Sequence, residues 1–260
     1  LSRFIHKIGS RRNETVNIVK AIRKLVPLLL LGMMAIGVKG QAGDAKITRE
    51  DIIAKAWKAM FGELRDTDIK SIYVEGYFHG STVPSRMTVK RPNLFRNEVA
   101  SGVLVFDGQR AAWVKRGPDK DGNPRSPELI VPAQWRHFEV DIALVFPAFF
   151  DYPSEFKGLE QVNGSEAYKL YVALPLGANV TYFVDGKSFL VTRRLVSWEG
   201  DPKEELWENL IDGYTAYDGI RFPDGYVFEG SKGREKGFYK NVRFNMNPGD
   251  ELFKIPEELK

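Results

Sequence analysis

Cysteine is absent from the 260 residues. That excludes a disulfide framework, a zinc–thiolate site, a cysteine nucleophile and a lipid-bearing N-terminal cysteine. Histidine is scarce, with only His6, His79 and His137, and none stands at a metal-ligand spacing such as His-x-x-x-His. A transition-metal centre is not expected from such a set. There is no Gly-x-Ser-x-Gly elbow and no phosphate-cradling loop, and the glycines are dispersed among turns. Asp151, Glu155 and Glu160 come nearest to a carboxylate pair, but as loop residues they read as solvated. The expectation is a chain with no catalytic residues, no metal and no cofactor.

Long apolar runs are lacking too, with one short exception. Lys20-Ala-Ile-Arg-Lys24 precedes 14 mostly apolar residues, Leu25 to Val38, interrupted by Pro27. The run is short of the roughly 20 residues that span a bilayer. Cationic, apolar and then small residues make the layout of a secretory signal. Residues 1–40 are therefore read as a leader with a long basic start, cleaved after Gly40 or Ala42. The domain proper is read as 41–260.

This division explains the charge. The whole sequence is +4 at pH 7, which suggests an anionic partner. Residues 1–40 hold eight basic side chains against Glu14 alone, so 41–260 has 30 basic and 33 acidic residues and a net charge of −3. A nucleic-acid partner is disfavoured for the exported domain.

Past the leader, Thr48-Arg-Glu-Asp51 has the form of a helix N-cap, followed by Ile52, Ile53, Ala56, Trp57 and Met60 at helical spacing. Gly62 stops this helix. After it the period changes to two. Strands are predicted at 72–78, 87–90, 94–99, 103–106, 111–115, 167–173, 179–184, 189–196, 205–210, 221–230 and 238–245. Ser101-Gly102, Asp107-Gly108, Asn163-Gly164 and Asp185-Gly186 join them as turns. The middle, 128–152, is rich in Trp, Phe, Val, Ile and Leu without alternation, and fits short helices laid on a sheet. The fold class read from this is α+β, mainly β: one large antiparallel curled sheet of about eleven up-and-down strands, with helices covering one face. The space under the helices is either a plain core or a pocket for an apolar ligand; the pattern alone leaves both open.

Met87-Thr-Val-Lys-Arg-Pro-Asn-Leu-Phe-Arg96, then Val105-Phe-Asp-Gly108 and Trp113, resembles the periplasmic outer-membrane lipoprotein carriers of the LolA/LolB-like superfamily. Tyr73-Val-Glu-Gly-Tyr-Phe78, Asp218-Gly-Ile-Arg-Phe-Pro223, Asn245 and Phe253-Lys-Ile-Pro256 extend the resemblance over about 48–256. It implies an unclosed β-barrel with a helical lid that shields the acyl chains of lipoproteins in transit to the outer membrane. Arg91 then matches a motif arginine that donates hydrogen bonds to lid carbonyls, and Phe95 an inward aromatic. By parity Arg91, Phe95 and Val99 share one strand face. Ile72, Val74, Phe78, Met87, Val89, Phe95, Val99, Phe146, Phe149 and Phe150 are the expected cavity lining. Phe95→Glu is accordingly expected to stop ligand uptake and spare the fold.

The implied partners are an acylated lipoprotein or lipid cargo, an inner-membrane release complex and an outer-membrane acceptor. Membrane contact would be transient and the chain a monomer. The segment 117–157 is longer and more aromatic than a minimal carrier lid, which leaves the cargo open between lipoprotein and free lipid. A periplasmic sensor that reports lipoprotein or lipid to one protein partner is the alternative, and an enzyme on this scaffold a remote one.

Overall fold

The computed structural model describes residues 47–78, 81–198, 207–230 and 233–259. The expected leader and His79 lie outside the described residues.

Helix α1 (Arg49–Phe61) begins as its sequence dictates. Thr48 Oγ1 accepts from Asp51 N and the Asp51 carboxylate accepts from Thr48 N, each at 3.1 Å. This reciprocal cap satisfies two otherwise free N–H groups. Gly62, at φ 65°, donates to Lys58 O and ends the helix. The spacing of Ile52, Ala56 and Met60 puts them on one buried face.

Five strands follow: β1 (Ser71–Phe78), β2 (Ser85–Lys90), β3 (Leu94–Val99), β4 (Gly102–Phe106) and β5 (Ala111–Lys115). They step outward by hairpins to the short edge strand β6 (Glu128–Leu129). Helix α2 (Trp135–Val145) and a 3-10 turn at Ala148–Phe150 carry the chain to the opposite edge. From there β7 (Glu155–Val162), β8 (Ser165–Ala173), β9 (Ala178–Asp185), β10 (Val191–Trp198) and β11 (Trp207–Ile211) step back. A separate ribbon, β12 (Tyr214–Tyr217) with β13 (Ile220–Pro223), interrupts before β14 (Gly225–Gly230) and β15 (Gly233–Phe244). Strand β15 then pairs with β1, Ile72 opposite Phe244 and Val74 opposite Val242.

The result is one antiparallel sheet in the order β6-β5-β4-β3-β2-β1-β15-β14-β11-β10-β9-β8-β7. Its end strands β6 and β7 do not pair with each other, so the curled sheet stays unclosed. The main sheet thus has 13 described strands rather than about eleven. One addition is β7, which sequence reading passed over. It is a polar edge strand whose exposure alternates along Glu155–Val162, and a register shift between Phe156 and Leu159 breaks its period. Glu155 and Glu160 are therefore strand residues, and Glu160 pairs with Lys169 and Arg193. The segment read as one strand over 221–230 is two, β13 and β14, in different sheets.

Asn163-Gly164 makes the expected tight turn, with φ of 49° and 80°. Asp185-Gly186 opens a longer loop instead. The Asp185 carboxylate accepts from the N–H groups of Lys187 and Ser188, and Phe189 takes the positive φ, 57°.

The two helices lie on the concave face. One buried cluster joins Met60 and Phe61 of α1 and Phe138, Ile142 and Val145 of α2 to Ile72, Val74, Val89, Phe95 and Phe106. A second joins Ile52 and Ala56, and Val140 and Ala143, to Leu170, Val172, Val180, Tyr182, Val191 and Val196. Each helix thus contacts both halves of the sheet.

Candidate functional site

The apolar space between the concave sheet and its helices is the candidate site, and here it is closed. Phe138 packs on Phe106 at 5.8 Å and on Phe95 at 6.5 Å between ring centres. Phe146 lies 5.7 Å from Phe61 and 5.5 Å from Phe150, which meets Trp57 edge-on at 5.0 Å. A space of about 10 Å³ remains beside Ile142, Phe146, Tyr152 and Leu174. That is room for one water at most. A larger hollow, about 480 Å³, is lined by polar groups, among them Lys70, Ser71, Lys90 and Asn245.

Of the expected lining, Ile72, Val74, Val89, Phe95 and Phe146 come together in one buried cluster, with Met87 and Phe150 packed against it. Phe149 is buried in the second cluster, its ring 5.0 Å from that of Tyr182. The side chain of Phe78 is outside the described residues. Val99 is not brought in: it pairs with Gly102 at the end of β3, half-buried and in neither cluster. Arg91 does not share the strand of Phe95. It lies in the turn between β2 and β3, so the parity argument does not reach it.

Phe95 is fully buried in the closed state. A glutamate there would place an unpaired carboxylate in the core, so Phe95→Glu does not spare the fold. Phe95→Leu is the usable variant. It is expected to cost about 1–2 kcal/mol in urea unfolding while leaving the circular dichroism spectrum unchanged.

Polar ties hold the helical layer to the sheet. The Arg91 guanidinium donates from Nη1 to the carbonyls of Asp66 (2.9 Å) and Ile69 (2.7 Å) and from Nε to the Asp151 carboxylate (3.0 and 3.1 Å). It also stacks over the Phe146 ring at 4.2 Å. The buried Tyr182 hydroxyl donates to Ala143 O (3.1 Å) and accepts from Ala148 N (2.9 Å). Arg194, equally buried, donates from Nη1 to Leu144 O at 2.7 Å. At this C-terminal end of α2 a cation suits the helix dipole.

Two carboxyl groups of α2 are perturbed. Burial pushes Glu139 up to about 7, against the opposing hydrogen bond from Leu176 N at 2.7 Å. Burial alone pushes Asp141 up to about 7. His137 meets Trp198 edge-on (4.6 Å) and stacks on Trp207 (5.6 Å), and burial, then the charge of Arg136, lowers its pKa. Sequence reading missed Tyr182, Arg194, Glu139 and Asp141. The only available signal was a charge inside an otherwise apolar stretch, such as Glu139 and Asp141 within 138–146. Among the described residues no group of three His, Asp or Glu is placed to hold a metal. No described helix is long and apolar enough to cross a membrane.

No family model and no curated relative matches the sequence. Solved structures do match. A LolA superfamily protein from Nitrosomonas europaea superposes with a TM-score of 0.53 at 14% identity, covering 80% of this chain and 98% of that one. A DUF1329 family protein from Desulfovibrio piger gives 0.50 at 14% identity, covering 78% and 95%. At such identity the likeness is one of fold: this chain has the LolA-like fold.

Proposed function

We propose that this chain is an exported carrier that takes acyl chains of a lipoprotein or lipid between its curled sheet and its two helices. It would pass them toward the outer membrane without a chemical step. One observation carries the reading: the concave face of an unclosed sheet is lined mostly by apolar side chains, and is covered by helices joined to it through rings and a few polar ties. A helical cover of that kind can lift without breaking the strand ladder. The apolar surfaces so uncovered must meet something apolar, and an acyl chain gains about 0.8 kcal/mol per methylene it buries. The LolA superfamily fold supports the same reading.

In this proposal residues 1–40 direct the chain to the periplasm and are removed. Release and acceptance of cargo would then be brief contacts with inner- and outer-membrane partners. The test is to purify the exported protein from a periplasmic extract, extract it with organic solvent and identify acyl chains by mass spectrometry. Bound acyl chains, and tryptophan fluorescence changes on titration with a long-chain lipid, are the expected result. Solvent extracts without acyl chains, together with a flat titration, would sink the carrier reading.

A further inference from the structure

The apolar wall under α2 contains a polar row. Tyr182 on β9, Arg194 on β10 and Asn209 on β11 stand directly opposite one another in register, with Phe228 of β14 next. Tyr182 and Arg194 both bond to α2, so the row faces the helix. Arg194 and Asn209 are each 2% exposed. Both amide atoms of Asn209, Nδ2 and Oδ1, are buried without a hydrogen-bond partner, and so is Arg194 Nε. Their surroundings offer no replacement: Trp207 and Ile211 flank Asn209 on its own strand face and pack into the apolar cluster.

Buried polar groups without partners are rare because each forfeits its hydration for nothing. Here two neighbours do so on one wall. The charge of Arg194 is also incompletely answered. Nη1 is taken by Leu144 O, and the negative end of α2 offsets part of the charge. No ion pair joins Arg194 to a described carboxylate. Asp141 of α2 acts on Tyr239 in the opposite sense to Arg194 but makes no ion pair with it, and burial raises its carboxyl pKa to about 7.

We infer that Arg194 and Asn209 form an anchor for the carboxylate head of a long-chain amphiphile, a fatty acid, whose tail lies along the apolar wall. The guanidinium Nε faces one carboxylate oxygen and the Asn209 Nδ2 the other, a charge-assisted pairing of the kind arginine favours. This rests on the carrier reading and specifies its ligand.

Tryptophan fluorescence reports on the site, since Trp207 adjoins Asn209 in sequence alternation. Titrations of the full chain with oleate and with methyl oleate compare the same tail with and without the charge. Oleate is expected to bind about tenfold or more tightly than its ester. In Asn209→Leu and Arg194→Met that ratio should fall toward one, with methyl oleate affinity kept in Asn209→Leu. Asn209→Leu keeps the test open where Arg194→Met does not fold. Because it removes an unpartnered amide from an apolar wall, its ligand-free melting temperature should hold or rise.

An equal affinity for acid and ester in the unaltered protein overturns the anchor and leaves the carrier standing. So does a ratio unchanged in Asn209→Leu. A lower ligand-free melting temperature of Asn209→Leu overturns it too, since the amide would then be satisfied by structural water. Binding of neither compound overturns both readings.

Discussion

Arg91→Ala is expected to lower the melting temperature by about 10 °C, the size that follows from a loss of roughly 3–5 kcal/mol in a domain of this length. The reason is the environment of the pair it forms. Arg91 and Asp151 side chains are 10% and 11% exposed, so removing the cation strands a nearly buried carboxylate. Burial opposes the charged form of Arg91, but its bonds to Asp151 and Asp66 outweigh this and raise its pKa, so it stays a cation. The carbonyls of Asp66 and Ile69 would lose their donor, and the Phe146 ring its covering guanidinium. The bond to the Asp66 carboxylate, 61% exposed, adds little. Arg91→Lys, which cannot reproduce the planar fork, should fall between. A melting temperature within 2–3 °C of the unaltered protein for Arg91→Ala, or about 1 kcal/mol, would show that the tie is decorative.

Stability is expected to fall as pH rises from about 4 to 7, the reverse of the usual carboxylate behaviour. Glu139 and Asp141 have pKa values raised to about 7 from 4.5 and 3.8, so across this window the folded chain holds more protons than the unfolded one. The slope of unfolding free energy with pH is then negative, and the contribution is fully present only below the unfolded values. Every tenfold difference in proton affinity between the folded and unfolded chain is worth about 1.4 kcal/mol. For Asp141 that is an upper bound, because it is only half-buried. Groups moved the other way, such as Asp185 and Glu98, lose their contribution as pH drops through the usual carboxylate range, and the lowered pKa of His137 opposes the fall just below its ordinary value of 6.5.

Glu139→Gln keeps an acceptor for Leu176 N and removes the titration. Urea unfolding at pH 5 and pH 8 should therefore show a smaller difference in this variant, and a smaller one again with Asp141→Asn. Equal differences in all three proteins would exclude the two carboxyls as the source. Because both lie on α2, the weakening at higher pH is a weakening of the helical cover.

Much of the local structure was legible because it is encoded by neighbours. Thr48 and Asp51 cap α1 across three residues, and Asn163-Gly164 sets its hairpin through two positive φ angles. The alternation of Ile72, Val74, Val89 and Phe95 with polar residues marked the inner face of β1 to β3. Val99 had the same parity and was lost from the site, because a strand end meets a turn rather than the core. Strand β7 escaped because an edge strand tolerates polar residues on both sides of its pleat.

The sequence by itself determined the capped helix, the hairpins, the apolar middle segment and the resemblance that led to an unclosed sheet. Tertiary structure decided how these parts meet. Only there does β15 close onto β1, does α2 carry the chain from one sheet edge to the other, and does the space beneath it prove filled by aromatic rings. It also decided which of two adjacent arginines enters the site. A register shift between Val191 and Arg193 turns Arg194 inward, beside Asn209, and leaves Arg193 to pair with Glu208 and Glu160. A single added residue reverses the faces of a strand. Alternation read along one strand cannot anticipate that, because the bulge is set by the partner it must match.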